Sequence, residues 1–145
     1  MNVAEKVSEY NWRRKMDLFI DQVRPRPGIS ILDVGVLGGE GRSAENFLEK
    51  HYPYPQDITA LGIDDLSEVA RRYPGIKVVQ YDGGIFPFRD KSFDVCWSNA
   101  VLEHVGGRQD QVQFLKEIHR VSRLAFVTTP NRYFPIEVHT LFPFV

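Results

Sequence analysis

The feature that most constrains this chain is a rhythm. Five short apolar runs rich in β-branched and aromatic residues recur along it, and stretches of helical periodicity separate them. Strands are expected over 29–34, 58–63, 76–81, 93–98 and 124–129, each too brief for a stable helix. Helices are expected over 3–23, 43–51, 67–73 and 109–121. In the first, Trp12, Met16, Phe19, Ile20 and Val23 form an apolar stripe at helical spacing, and Pro25-Arg26-Pro27-Gly28 stops it. Ser43 is the expected N-cap of the second. In the last, Val112, Leu115, Ile118 and His119 share one face, so His119 is expected to pack inside. Strand and helix in alternation imply right-handed crossovers and an α/β fold, doubly wound, with a mostly parallel sheet between helical layers. The 145 residues make one domain: a helix and linker (1–28), a core (29–131) and a C-terminal region (132–145).

Charge narrows the partners. With 18 basic and 19 acidic side chains the net charge is −1, so no basic excess favours nucleic acid or an anionic membrane. The Arg13-Arg14-Lys15 triplet reads as the solvated face of the first helix. The lone Cys96, between Val95 and Trp97, excludes a disulfide within the chain and reads as a buried strand residue. No apolar run approaches the roughly 20 residues of a membrane span, and the start has no apolar signal core. The expected location is cytoplasmic.

In doubly wound sheets, ligands bind where the carboxyl ends of the strands meet the following loops. Three such loops carry an acid beside glycine. The first, Leu32-Asp33-Val34-Gly35-Val36-Leu37-Gly38-Gly39-Glu40-Gly41, lacks the G-x-G-x-x-G spacing of a dinucleotide site. Its acid, Asp33, suits a cation and would repel a pyrophosphate. The second, Gly62-Ile63-Asp64-Asp65, offers a carboxylate to ribose hydroxyls, with Asp64 preferred and Asp65 a fallback or helix cap. The third, Tyr81-Asp82-Gly83-Gly84, offers one to an adenine amino group, or is a plain Asp-Gly turn. S-adenosylmethionine has the matching groups: a sulfonium and an ammonium, a ribose, an adenine and no phosphate.

These runs, followed by Phe86-Pro87-Phe88, Ser92-Phe93-Asp94-Val95 and Ser98-Asn99-Ala100-Val101-Leu102-Glu103-His104-Val105, resemble the class I, Rossmann-like S-adenosylmethionine-dependent methyltransferases, and within them the type 11 group. The resemblance spans about residues 29–131. It implies that Asp33, Gly35 and Gly39 line the methionine end of the cofactor, that Asp64 holds the ribose, and that Asp82 and Gly83 hold the adenine. Ser98 and Asn99 would sit beside the transferring methyl. Glu103-His104 matches a recurrent pair whose role in the family varies.

Two departures stand out. Leu37 occupies the place of a usual glycine, which bears on the loop path and on cofactor affinity. The family sheet has seven strands against five here, so a C-terminally truncated chain is expected. Its fifth strand would then be an exposed edge, open to pairing with a second copy.

The implied activity is methyl transfer to a small-molecule acceptor, leaving S-adenosylhomocysteine, with no metal. A general base is needed only if the acceptor must lose a proton, and His104 and His139 are the candidates. Tyr133, Phe134, Phe142 and Phe144 are aromatics for an acceptor wall or for a core. The competing reading is a scaffold that keeps the fold without turnover.

Overall fold

A computed structural model describes residues 3–39 and 46–130 of the chain. Four helices and five strands make it up, alternating except where β3 runs by a loop into β4: α1 (Val3–Val23), β1 (Ile31–Val34), α2 (Phe47–His51), β2 (Ile58–Gly62), α3 (Ser67–Arg72), β3 (Lys77–Gln80), β4 (Phe93–Asn99), α4 (Arg108–Val121) and β5 (Ser122–Thr128). The sheet runs β3-β2-β1-β4-β5 and every pairing is parallel. β1 lies at the centre, with Ile31 opposite Ile58 on one side and Val95 on the other. After β3 the chain crosses β1 to start β4, so the winding reverses beside β1, where such sheets bind ligands.

Side-chain alternation divides the core in two. Ile31, Ile58, Ala60, Val95 and Trp97 face α1, α2 and α3, packing with Met16, Phe19, Phe47, Leu48, Leu66 and Val69. Leu32, Val34, Leu61 and Cys96 face the other way, against Phe114, Ile118 and Val121 of α4 and Phe86 from the β3–β4 loop. The doubly wound sheet read from the sequence is the observed one. The central strands β1 and β2 are buried throughout, whereas β3 at one edge is exposed at Lys77 and Gln80. At the other edge β5 pairs with β4 and, among the described residues, with no further strand. Ser43 and residues 131–145 lie outside the described residues.

The stripe on α1 packs as expected: Met16 and Phe19 are buried, with Trp12, Ile20 and Val23 against the same core. Phe19 meets Trp97 edge-on at 4.9 Å and Phe126 at 5.5 Å, while Trp97 and Phe126 stack at 5.0 Å. Trp12 bridges Phe47 at 5.2 Å and Trp97 at 6.5 Å. Large rings at such spacings add to area burial and fix α1 across β4 and β5.

On α4 the buried face is Phe114, Glu117, Ile118 and Val121. His119 is exposed, and Val112 and Leu115 are 46% and 40% exposed, so the expected stripe is rotated. A buried carboxylate displaces it. Glu117 Oε2 accepts the Phe86 amide at 2.8 Å and an Arg120 N–H at 2.6 Å. Arg120 also donates to the carbonyls of Phe86 and Phe88 and to Asp90. One ion pair thus clamps the β3–β4 loop onto α4, and the arginine holds the Glu117 carboxyl below its ordinary range.

Arg120→Ala leaves Glu117 buried without its cation and releases two carbonyls. It should destabilise the fold by about 2–3 kcal/mol, read as a lower urea midpoint. The Glu117 part of this stability is present above the ordinary carboxylate pKa and is lost as pH falls through the lowered one. An unchanged midpoint at neutral pH would show that the clamp carries no weight.

Candidate functional site

Because every strand is parallel, the loops after β1, β2, β3 and β4 emerge at one edge of the sheet. Glycine sets how closely they pack. Gly35 has φ +96°, and a Cβ there would overlap the Val101 side chain in the loop after β4. The amides of Gly35 and Val36 donate to the Leu61 carbonyl of β2 at 2.9 and 3.2 Å. A Cβ at Gly38 would overlap the Asp65 carbonyl and lie 3.4 Å from the Asp64 Cβ. A Cβ at Gly83 would lie 3.8 Å from the Ile63 side chain. The four loops therefore meet. Leu37 fits without blocking them, because its side chain is 49% exposed and Gly38, one residue on, makes the close approach.

Within this edge the acids separate into different roles. Asp65 accepts the Ser67 amide at 2.9 Å and starts α3, which leaves the exposed Asp64 at the tip of β2 as the carboxylate for a ligand. Asp82 is exposed and accepts the Gly84 amide at 3.0 Å, an Asx turn that holds one oxygen and leaves the other outward. An atom added at Gly39 meets nothing within 4 Å among the described residues.

Asp33 is not at the surface of the edge. Alternation turns it onto the α2 face of β1, where it is 7% exposed and lies close to Glu49, 5% exposed, of α2. Among the described residues no N–H or hydroxyl donates to either Glu49 oxygen, so two buried carboxyls lie close together without a compensating donor on Glu49, which favours a protonated group in the pair. Burial first, then the negative charge of Glu49, pushes the Asp33 carboxyl well above its ordinary range. The sequence reading missed Glu49, since a lone acid between Leu48 and Lys50 looks like a solvated helix position.

At the end of β4 neighbouring side chains part. Ser98 is fully buried and its Oγ has no partner among the described residues, so the structure does not bring its side chain to the edge. Asn99 points to the α1 face. Its Oδ1 accepts Thr128 Oγ1–H at 2.6 Å and Lys15 Nζ–H at 2.8 Å. The expectation for the basic triplet is thus corrected. Arg13 and Arg14 are exposed, but Lys15 reaches back to the sheet, its amine 5.4 Å from the Trp12 ring centre. Burial lowers its pKa, and Glu103 opposes that shift. A helix crossing the sheet end brings together residues 84 apart, which no local pattern signals.

Of the histidines, His104 lies in a 3-10 turn (Leu102–His104), 65% exposed and 3.9 Å from Glu103 Oε1. His139 lies outside the described residues. Cys96 is buried, and burial raises its thiol pKa. Among the described residues no cluster of three or more His, Cys, Asp or Glu side chains is placed to hold a metal, and no helix is long and apolar enough to cross a membrane.

A parallel α/β sheet whose glycine loops and exposed carboxylates crowd its carboxyl edge has the architecture of a doubly wound ligand-binding domain. The chain belongs to the methyltransferase domain family, whose model matches residues 32–124. A probable S-adenosylmethionine-dependent methyltransferase of Mycobacterium tuberculosis is 31% identical over 130 residues, covering 86% of this chain and 44% of that protein. A probable tRNA methyltransferase 9B of Mus musculus is 29% identical, covering 76% of this chain and 22% of that protein. The chain thus spans less than half the length of these relatives. Among solved structures, a SAM-dependent methyltransferase from Aquifex aeolicus superposes with a TM-score of 0.59 at 16% identity, over 88% of this chain and 71% of that one. At that identity the likeness concerns the fold.

The Asp33–Glu49 pair makes stability depend on pH. Its raised carboxyl favours the folded state fully below about pH 4, the ordinary carboxylate range, and this contribution is lost as pH rises through the raised value. Glu49→Gln removes the buried charge. It should raise stability at pH 8 by about 1–2 kcal/mol and change it little at pH 5, measured by urea unfolding at both. A loss of stability at pH 8 would contradict the protonated-pair assignment.

Proposed function

We propose that this protein binds S-adenosylmethionine at the carboxyl edge of its sheet and transfers the methyl group to a small-molecule acceptor. The observation that carries the reading is the convergence of four loops on one edge, with Asp64 and Asp82 exposed at neighbouring strand tips. Family membership and the absence of a basic charge excess support it. The residues present suit the cofactor's chemistry: Asp64 would accept from the ribose hydroxyls, Asp82 with Gly83 would hold the adenine, and Gly35 and Gly39 would let the backbone run close to the methionine end. Asp33 would line that end from beneath the loop.

When bound, S-adenosylmethionine supplies an electrophilic methyl on a sulfonium, with the leaving group already in place. The protein's part is to hold an acceptor in line behind that methyl and to keep water out. Asn99, at the end of β4, is the side chain proposed to stand beside it. His104 would serve as base for an acceptor that must lose a proton. A cytoplasmic setting, no nucleic-acid partner and association through the β5 edge belong to the same proposal.

Calorimetric titration with S-adenosylhomocysteine tests it, with NAD as the control. The homocysteine product should bind and NAD should not. No heat with S-adenosylhomocysteine up to millimolar concentration would favour a scaffold without turnover. Asp64→Ala should weaken binding by about 1–3 kcal/mol through lost charged hydrogen bonds; unchanged affinity removes Asp64 from the site.

A further inference from the structure

The polar cluster that joins α1 to the ends of β4 and β5 has a one-sided chemistry. Asn99 Oδ1 receives two donors, Lys15 Nζ and Thr128 Oγ1, at 2.8 and 2.6 Å. Only the oxygen of a carboxamide accepts, so this pair of bonds fixes which way the group is turned. The Asn99 NH₂ is thereby directed away from both, with two N–H groups that donate to nothing among the described residues. Lys15 spends one of its three N–H donors on Asn99. Its other neighbours are the Trp12 face and, at longer range, the carboxylate of Glu103.

The backbone holds this arrangement in place. Ala100, the next residue, has φ +55°, a conformation costly for any residue with a Cβ, and its amide donates to the Thr128 carbonyl at 2.9 Å. The register pairs Asn99 with Thr128 directly. Trp12 and Phe19, on either side of Lys15 in sequence, anchor α1 to Trp97. Strain, strand register and ring packing thus hold a lysine and an amide together at the edge where the methyl would move.

We propose that Lys15 and the spare N–H groups of the Asn99 amide, braced by Thr128, form an oxyanion subsite that selects a methyl acceptor bearing a carboxylate near its reacting atom. The inference rests on the cofactor reading above and assigns the acceptor's side of that site. A cationic or purely apolar acceptor would leave the spare ammonium and amide donors unanswered in a partly buried position, whereas a carboxylate offers charged acceptors to both. Glu103, its side chain 25% exposed, acts on Lys15 through its charge and makes no hydrogen bond to it among the described residues, so it tempers the field of the ammonium without answering its spare donors.

The experiment uses the full chain loaded with S-adenosylhomocysteine and follows the Asn99 side-chain NH₂ signals by ¹H–¹⁵N NMR. Sodium acetate and acetamide are titrated at constant ionic strength. Acetate should shift the Asn99 pair saturably and acetamide should not. Lys15→Met keeps the stem over Trp12, and should weaken the acetate response about tenfold, the scale of one charge-assisted contact, while S-adenosylhomocysteine affinity is kept. Thr128→Val, which frees the amide but retains the lysine, should weaken it as well. Equal responses to acetate and acetamide, or an acetate shift that survives Lys15→Met, overturn the subsite. A wild-type chain that takes up no S-adenosylhomocysteine fails at the loading step and overturns the cofactor reading instead.

Discussion

Parallel pairing of β1 with both neighbours is the constraint on which the rest depends. A parallel ladder sends every strand the same way, so each carboxyl end, and each loop leaving it, arrives at one edge. Four loops that are distant in sequence become neighbours without any device specific to the site. Glycine then lets them close up: Gly35 against Val101 on one side, Gly38 against Asp64 and Asp65 on the other. Substituting either would push apart the two loops it joins, and the proposed cofactor site lies between them.

The two faces of the sheet contribute differently. On the α4 face the Glu117–Arg120 pair ties down the β3–β4 loop, which carries Asp82 at its start. On the α1 face a sandwich of Trp12, Phe19, Trp97 and Phe126 sets the angle of the first helix. That angle decides where Lys15 reaches. Packing among aromatics therefore positions a charge, and hydrophobic burial at the centre of the sheet bears on the polar chemistry at its end.

The fold was legible because its signal is local and repeated. Short β-branched runs separated by helical stripes admit few arrangements other than a parallel sheet between helices, and the observed order is of that kind. The strand-tip acids were legible for the same reason, since Asp64 and Asp82 follow directly from where strands end. What escaped depends on contacts across the fold. Lys15 looks solvated beside Arg13 and Arg14, and only the docking of α1 shows otherwise. Glu49 looks like a surface acid until a five-residue helix is pressed against β1. The face of α4 was misread because counting apolar residues ignores a carboxylate that is buried against a half-buried arginine. Ser98 and Asn99 are adjacent in sequence, yet strand alternation buries one and turns the other to Lys15 on the α1 face.

A crystal structure of the full chain with S-adenosylhomocysteine tests the central claim most directly. The account predicts the adenosyl group across the carboxyl ends of β1, β2 and β3, its ribose hydroxyls on Asp64 and its sulfur facing the end of β4 at Asn99. A ligand seated at the opposite edge of the sheet, or on the outer face of α4, would contradict it.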